Sequence, residues 1–244
     1  MKKFFLTLTA FLFIIQGSYA CFDTYLFLYK RSMVYPHKAL LLEWMGEYSI
    51  NRIKTPQSDN FISYGSIYYG AGENFSIQFS IGSDEKQRDA LKVDVFGIRG
   101  VLNAYSSAVH GYNLDLVVEY RGGFNGNRSE IEVSIPNIFH FSNLIYIFHP
   151  GISYGLLDDN LQAGAHTGLF YNFNETSIIG IGAEYASPQS SSYAGNRIVD
   201  GEIAASIFIG AKIGSLLYVQ NEFAKGLSNS RDFGFAVTAK FLLN

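Results

Sequence analysis

Residues 233–242 read Phe233-Gly234-Phe235-Ala236-Val237-Thr238-Ala239-Lys240-Phe241-Leu242, almost at the C-terminus. Phe233, Phe235, Val237, Ala239 and Phe241 alternate with Gly234, Ala236, Thr238 and Lys240. Successive side chains of a strand point to opposite faces, so this stretch presents one oily face and one small or polar face. Segments of about ten residues with this alternation, separated by turns, are the way a chain crosses a bilayer with strands.

The same period recurs upstream. Leu40, Leu42, Trp44, Tyr48 and Ile50 alternate with Glu43, Glu47 and Asn51. Leu114, Leu116, Val118 and Tyr120 alternate with Asp115, Glu119 and Arg121, and Ile131, Val133 and Ile135 with Glu130, Glu132 and Ser134. The interval Gly122-Gly123-Phe124-Asn125-Gly126-Asn127 between them reads as a hairpin connection. Ile203, Ala205, Ile207, Ile209, Ala211 and Ile213 alternate with Glu202, Ala204, Ser206, Phe208, Gly210 and Lys212. Gly214-Ser215 then reads as a tight hairpin turn into Leu216 to Gly226. Less pure alternation marks 59–70, 73–82, 90–104, 142–155, 161–173 and 176–187; with 39–52 and 232–242 the reading gives about 12 strands, with 10 or 14 as alternatives.

The N-terminus sets the compartment. Lys2 and Lys3 precede an apolar run from Phe4 to Ile15, and Ser18-Tyr19-Ala20 supplies small residues for a peptidase, so 1–20 reads as a cleaved signal peptide. Cys21, which is also the chain's single cysteine, follows the cut. A lipid-modified cysteine is the alternative to simple cleavage, although Ser18 stands where a leucine is expected. One cysteine forbids an internal disulfide.

Beyond the signal no apolar stretch approaches the roughly 20 residues of a spanning helix, and the longest, such as Leu144 to Phe148, run only a few residues. A closed sheet is the remaining way to satisfy every backbone polar group inside a bilayer. Composition agrees: 21 Phe, 17 Tyr and 24 Gly accompany only 16% charged residues, where about 25% is typical of soluble domains. The net charge of −3 argues against a nucleic-acid partner. A periplasmic β-sandwich also alternates and is the soluble alternative. Against it stand Tyr64, Tyr68, Tyr69, Tyr120, Tyr146, Tyr154, Tyr171, Phe173, Tyr185 and Tyr218, near strand ends and suited to interfacial girdles.

The expected fold is therefore all-β, a closed antiparallel transmembrane β-barrel over 39–244, with 21–38 as a periplasmic segment or a lumen plug. An even strand number puts both chain ends in the periplasm. Connections after even-numbered strands should then be short, as Asn174-Glu175-Thr176 and Gly214-Ser215 are, and the longest, Pro188 to Asp200, lies outside the cell. The chain as a whole resembles bacterial outer-membrane porin-like barrels, with no closer family indicated. Its alternating aromatic ending resembles the signal read by the barrel-assembly machinery, with outer-membrane lipids as the surrounding solvent. It departs from that signal in following Phe241 with Leu242-Leu243-Asn244.

With the oily alternates facing lipid, the other parity places Glu43, Glu47, Lys92, Asp94, Asp115, Glu119, Arg121, Glu130, Glu132, Glu184, Glu202, Lys212, Glu222 and Lys240 in the lumen, with His149 and His166 among them. Carboxylate-rich interiors attract cations, so the expectation is a narrow cation-leaning channel or substrate-selective porin for a small cationic or polar solute. A non-conducting barrel serving as scaffold, adhesin or complex subunit is the alternative, because small barrels fill their interior with side chains. His149 and His166 on neighbouring strands would make only a two-ligand metal site, so no metal and no cofactor is expected. His140-Phe141-Ser142-Asn143 resembles the His-x-Ser-Asn stretch of outer-membrane lipid A 3-O-deacylases, which implies a hydrolase with His140 activating Ser142. The acid that family carries about a dozen residues further on is replaced by Tyr154.

Overall fold

The computed structural model describes residues 32–50, 60–85, 93–157, 159–174, 176–187, 190–191, 202–228 and 232–243. Its strands are β1 Leu40–Ile50, β2 Asn60–Gly70, β3 Phe75–Glu85, β4 Val95–Ser107, β5 Tyr112–Gly123, β6 in two pieces, Ser129–Ser134 and Asn137–Phe141, β7 Leu144–Gly155, β8 Asn160–Asn174, β9 Ser177–Ala186, β10 Glu202–Ile213, β11 Leu217–Ser228 and β12 Phe233–Leu243. Each pairs antiparallel with its chain neighbour, and β12 pairs with β1 along its full length, from Leu40 opposite Leu243 to Ile50 opposite Phe233. The sheet is thus a closed antiparallel barrel of 12 strands. Closure leaves no open edge in the wall.

The break in β6 has a simple cause. Pro136 has no amide hydrogen to donate and is tolerated in a sheet only at an irregularity. Around it the ladder is stitched by Ile135 N–H to Pro150 O and Asp115 N–H to Pro136 O, 2.9 and 3.0 Å.

The connections after β2, β4, β6, β8 and β10 are short, 71–74, 108–111, 142–143, between Asn174 and Ser177, and 214–216, and lie at one rim; β1, β3, β5, β7, β9 and β11 end at the other, where Ser190–Ser191, in the connection after β9, pair with Leu161 and Asn160 of β8. The short set follows the even-numbered strands and shares its rim with the start of β1 and the end of β12, the arrangement expected for the periplasmic side. The turn after β10 includes Leu216, one residue more than the two-residue hairpin expected, because Ile213 pairs with Leu217. Gly111 turns the chain into β5 with φ 58°, and a β-carbon there would lie 2.3 Å from the His140 carbonyl oxygen, so only glycine fits.

The outer face is apolar. Trp44, Ile67, Phe79, Ile98, Val133, Ile152, Ile181, Ile207 and Phe235 are 39–58% exposed. Lys225 carries charge outward near the end of β11 at the long-loop rim, its Nζ 4.1 Å from the Phe233 ring centre. There its ammonium can reach the headgroup level. Aromatic clusters mark both rims: Tyr105, Tyr112, Phe139 and Tyr146 at the short-turn side, with centroids 4.8–6.0 Å apart, and Phe96 with Tyr120 and Phe124 at 5.9 and 5.2 Å on the other. Tyr68 and Tyr218, read from the sequence as girdle residues, are instead turned inward and are 2% and 4% exposed. Tyr64 shares the inner parity of Ile62, Ser66 and Tyr68. The physical reason is that the short-turn end of the interior is filled with protein, where Tyr68 and Tyr218 pack with Tyr35 and Leu41.

Candidate functional site

The interior is the candidate site, and it is divided into two halves by chemistry. At the short-turn end the interior is apolar on one side: Val101 of β4, Val117 of β5, Ile138 of β6, Ile145 and Ile147 of β7, Phe170 of β8, Ile178 of β9 and Phe208 of β10 form a buried layer with Met33 and Val34. Phe170 and Phe208 meet at 4.4 Å between centroids. Beside it Tyr35, Leu41, Tyr68 and Tyr218 form a second buried cluster. Of the N-terminal segment assigned to 21–38, residues 32–38 are described: 32–35 are buried inside the barrel and 36–38 are exposed at its rim. Residues 21–31 lie outside the described residues.

Polar groups near this layer are tightly held. Glu43 and Lys240, directly opposite each other across the closing β1–β12 seam, form an ion pair of 2.8 Å with side chains 3% and 1% exposed. Tyr68 donates its hydroxyl to Glu43 Oε1 at 2.8 Å and its ring lies 5.3 Å from the Lys240 ammonium. Asp115, fully buried, accepts from Ser32 Oγ at 2.8 Å, the Met33 amide at 2.6 Å and Asn103 Nδ2 at 2.7 Å.

Toward the long-loop end the interior becomes charged and reachable by solvent. On the β4–β6 side acids and arginines alternate: Arg121 Nε donates to Glu119 at 2.6 Å, its other nitrogen approaches Glu132 at 3.3 Å, Arg99 lies 3.8 Å from Glu119, and Arg128 pairs with Glu130 at 3.1 Å. These side chains are 13–24% exposed. His149, His166 and Glu184 occupy cross-strand register positions on β7, β8 and β9. His149 bonds Ser134 Oγ at 2.8 Å, the two imidazole rings are 6.1 Å apart, and His166 lies 3.8 Å from Glu184. Among the described residues no group of three such side chains is arranged to hold a metal ion. Glu47, Glu184, Glu202 and Glu222 give the β9–β11 and β1 side an acidic inner wall, with Lys212 at its short-turn end.

Of the residues read from sequence as inward, Glu43, Glu47, Asp115, Glu119, Arg121, Glu130, Glu132, His149, His166, Glu184, Glu202, Lys212, Glu222 and Lys240 share the buried, inner parity of their strands. Lys92 lies outside the described residues. Asp94 departs from the reading: it precedes β4 on the parity of Phe96 and Ile98, whereas Val95, Gly97, Arg99 and Val101 point in. Arg99 was missed for the same reason, although the oily Phe96, Ile98 and Leu102 opposite it carry the signal.

His140 and Ser142 sit at the short-turn rim, His140 half-buried at the end of β6 and Ser142 exposed in the turn with φ 55°. Tyr154, where the deacylase pattern wants an acid, lies at the far end of β7, about 33 Å away along the strand at roughly 3.3 Å per residue. Its hydroxyl bonds Asp159. No triad can assemble across that span.

Solved structures share this architecture, while no protein-family model and no curated protein matches the sequence. An outer membrane channel from Pseudomonas putida F1 superposes with a TM-score of 0.66 at 12% identity, over 88% of this chain and 98% of that one. The KdgM porin gives 0.61 at 8% identity, covering 84% and 99%, and the NanC porin 0.60 at 8%, covering 83% and 100%. Identities this low speak for the fold alone. Together with the apolar exterior and the aromatic clusters at both rims, that fold defines a closed transmembrane β-barrel of the outer-membrane type.

Proposed function

We propose that the protein is a narrow, substrate-selective outer-membrane channel whose interior favours cations, admitting small cationic or polar solutes. The observation that carries this reading is the charged, solvent-reachable half of the lumen. Arg99, Glu119, Arg121, Glu130 and Glu132 remain 13–19% exposed inside a closed wall, and hydrated charge is what a permeating solute exchanges its water for. On the β4–β6 side carboxylates and arginines balance; the surplus is acidic because Glu47, Glu184, Glu202 and Glu222 lie on the other side. A ring biased this way attracts cations and repels anions.

The barrels it resembles support the reading only through their shared shape: the KdgM structures include one in complex with disordered oligogalacturonate, which is a statement about that protein. Swelling of proteoliposomes in iso-osmotic solutes of matched size tests the proposal. Faster swelling in a small amine salt than in the matching carboxylate salt agrees with it, and equal or reversed rates contradict it.

A second reading, a non-conducting barrel with a structural or partner-binding role, is favoured by the apolar layer, in which Ile138, Ile147, Phe170 and Phe208 are at most 1% exposed. It predicts no swelling from correctly folded protein, with or without the residues that fill the periplasmic end.

A further inference from the structure

We propose that residues 32–36 are a displaceable stopper in the periplasmic end of the lumen, and that Asp115, which latches it, becomes a cation-attracting carboxylate of the pore when the stopper leaves. The second half rests on the channel reading above; the first does not.

The chain passes into the barrel beside the end of β2. Lys38 N–H donates to Gly70 O at 2.7 Å, Gly70 N–H to Ala39 O at 3.0 Å and Ala39 N–H to Pro36 O at 2.9 Å. Gly70 lets the segment pass: a β-carbon there would stand 1.9 Å from the Pro36 carbonyl oxygen. From this rim the backbone leads inward, and Ser32, Met33, Val34 and Tyr35 are 6%, 2%, 5% and 3% exposed. Met33 and Val34 complete the apolar layer, and Tyr35 packs on Tyr68 at 4.9 Å.

This attachment differs in kind from the wall. The strands are held by continuous ladders, whereas Ser32 Oγ and the Met33 amide donate to the two carboxylate oxygens of one wall side chain, Asp115. Two of the three donors that Asp115 accepts from belong to the stopper, the third being Asn103. A buried carboxylate stripped of donors must take up water in their place. Release of the stopper therefore hydrates the inner face at the third residue past the start of β5 and places a charge at the periplasmic mouth. Seated stopper and dry mouth form one state; released stopper and an acidic, wet mouth form the other. The latch in the closed state is thereby a selectivity residue in the open one.

The test uses full-length chains carrying Val34→Asp, which puts a charge into the apolar layer, or Gly70→Val, which drives a side chain against Pro36. Neither alters a charge of the wall, and heat-modifiable mobility in detergent reports folding of each. In a Cys21→Ser background, Val117→Cys, behind Met33 and Val34, is offered to a charged methanethiosulfonate reagent. Either stopper variant should raise its labelling rate about tenfold or more, and should raise planar-bilayer conductance over wild type. Adding Asp115→Asn to Val34→Asp should lower the cation-to-anion permeability ratio. Labelling unchanged in both folded variants overturns the stopper. Raised labelling without conductance overturns the pore role of Asp115 together with the channel reading, and raised conductance with a permeability ratio indifferent to Asp115→Asn overturns that role alone.

Discussion

Removing the Lys240 ammonium should loosen the barrel where it closes. The Glu43–Lys240 pair is 2.8 Å long, nearly inaccessible to solvent, and spans β1 and β12, the two strands that are furthest apart in the chain. Losing one partner of a buried pair costs about 3–5 kcal/mol, because the other charge stays buried without compensation. Glu43 would keep the Tyr68 hydroxyl as a donor, which points to the lower end of that range for Lys240→Ala. With a urea slope near 3 kcal/mol/M, the midpoint of reversible unfolding in vesicles should fall by about 1 M. The single tryptophan, Trp44, adjoins Glu43 on β1, faces lipid and donates to Ser63 Oγ at 3.1 Å, so its fluorescence reports this seam directly. Glu43→Gln with Lys240→Met, which removes both charges, should recover most of the loss. A Lys240→Ala midpoint within about 0.2 M of wild type, or a double variant as weak as the single, would refute the argument that this pair secures closure.

Val133 is 41% exposed on the lipid side of β6, so Val133→Arg should cost about 2–4 kcal/mol and lower folding yield into vesicles. Its inward neighbour behaves otherwise: Glu132→Leu leaves Arg121 bonded to Glu119 at 2.6 Å, so folding yield should stay near wild type while ion preference shifts toward anions. Phe208→Ala should open a cavity against Phe170, destabilising by about 3–5 kcal/mol in the same urea titration. Ser142→Ala should leave the lipid A acylation pattern of expressing cells unchanged, since the position expected to supply an acid lies at the opposite end of β7.

Much of the fold was legible because a wall with lipid on one side leaves an alternating record. β1, β5, β10 and β12 each show it, and the oily alternates read from the sequence face out. Where the record blurs, the structure supplies the reason. Leu144 to Phe148 is apolar at every position because Leu144, Tyr146 and Phe148 face lipid while Ile145 and Ile147 meet the N-terminal segment. Val117 beside Val118 and Val101 beside Leu102 are apolar on both faces for the same cause. Runs of this kind, clustered at one end of successive strands, were the available sign that the lumen is not acidic throughout. Asp94 was misplaced because an acid near a strand start invites the inner parity, while Phe96 and Ile98 after it point the other way. The seam pair, the Asp115 latch and the arginine–carboxylate alternation depend on cross-strand register, which one sequence does not encode locally.

Zero-current potential across a planar bilayer with a tenfold potassium chloride gradient, measured on the Val34→Asp protein beside wild type, tests the account most directly. It predicts step conductances whose reversal potential lies on the potassium side of zero, more frequent in the variant. Silence of both folded proteins, or a reversal potential on the chloride side, would contradict it.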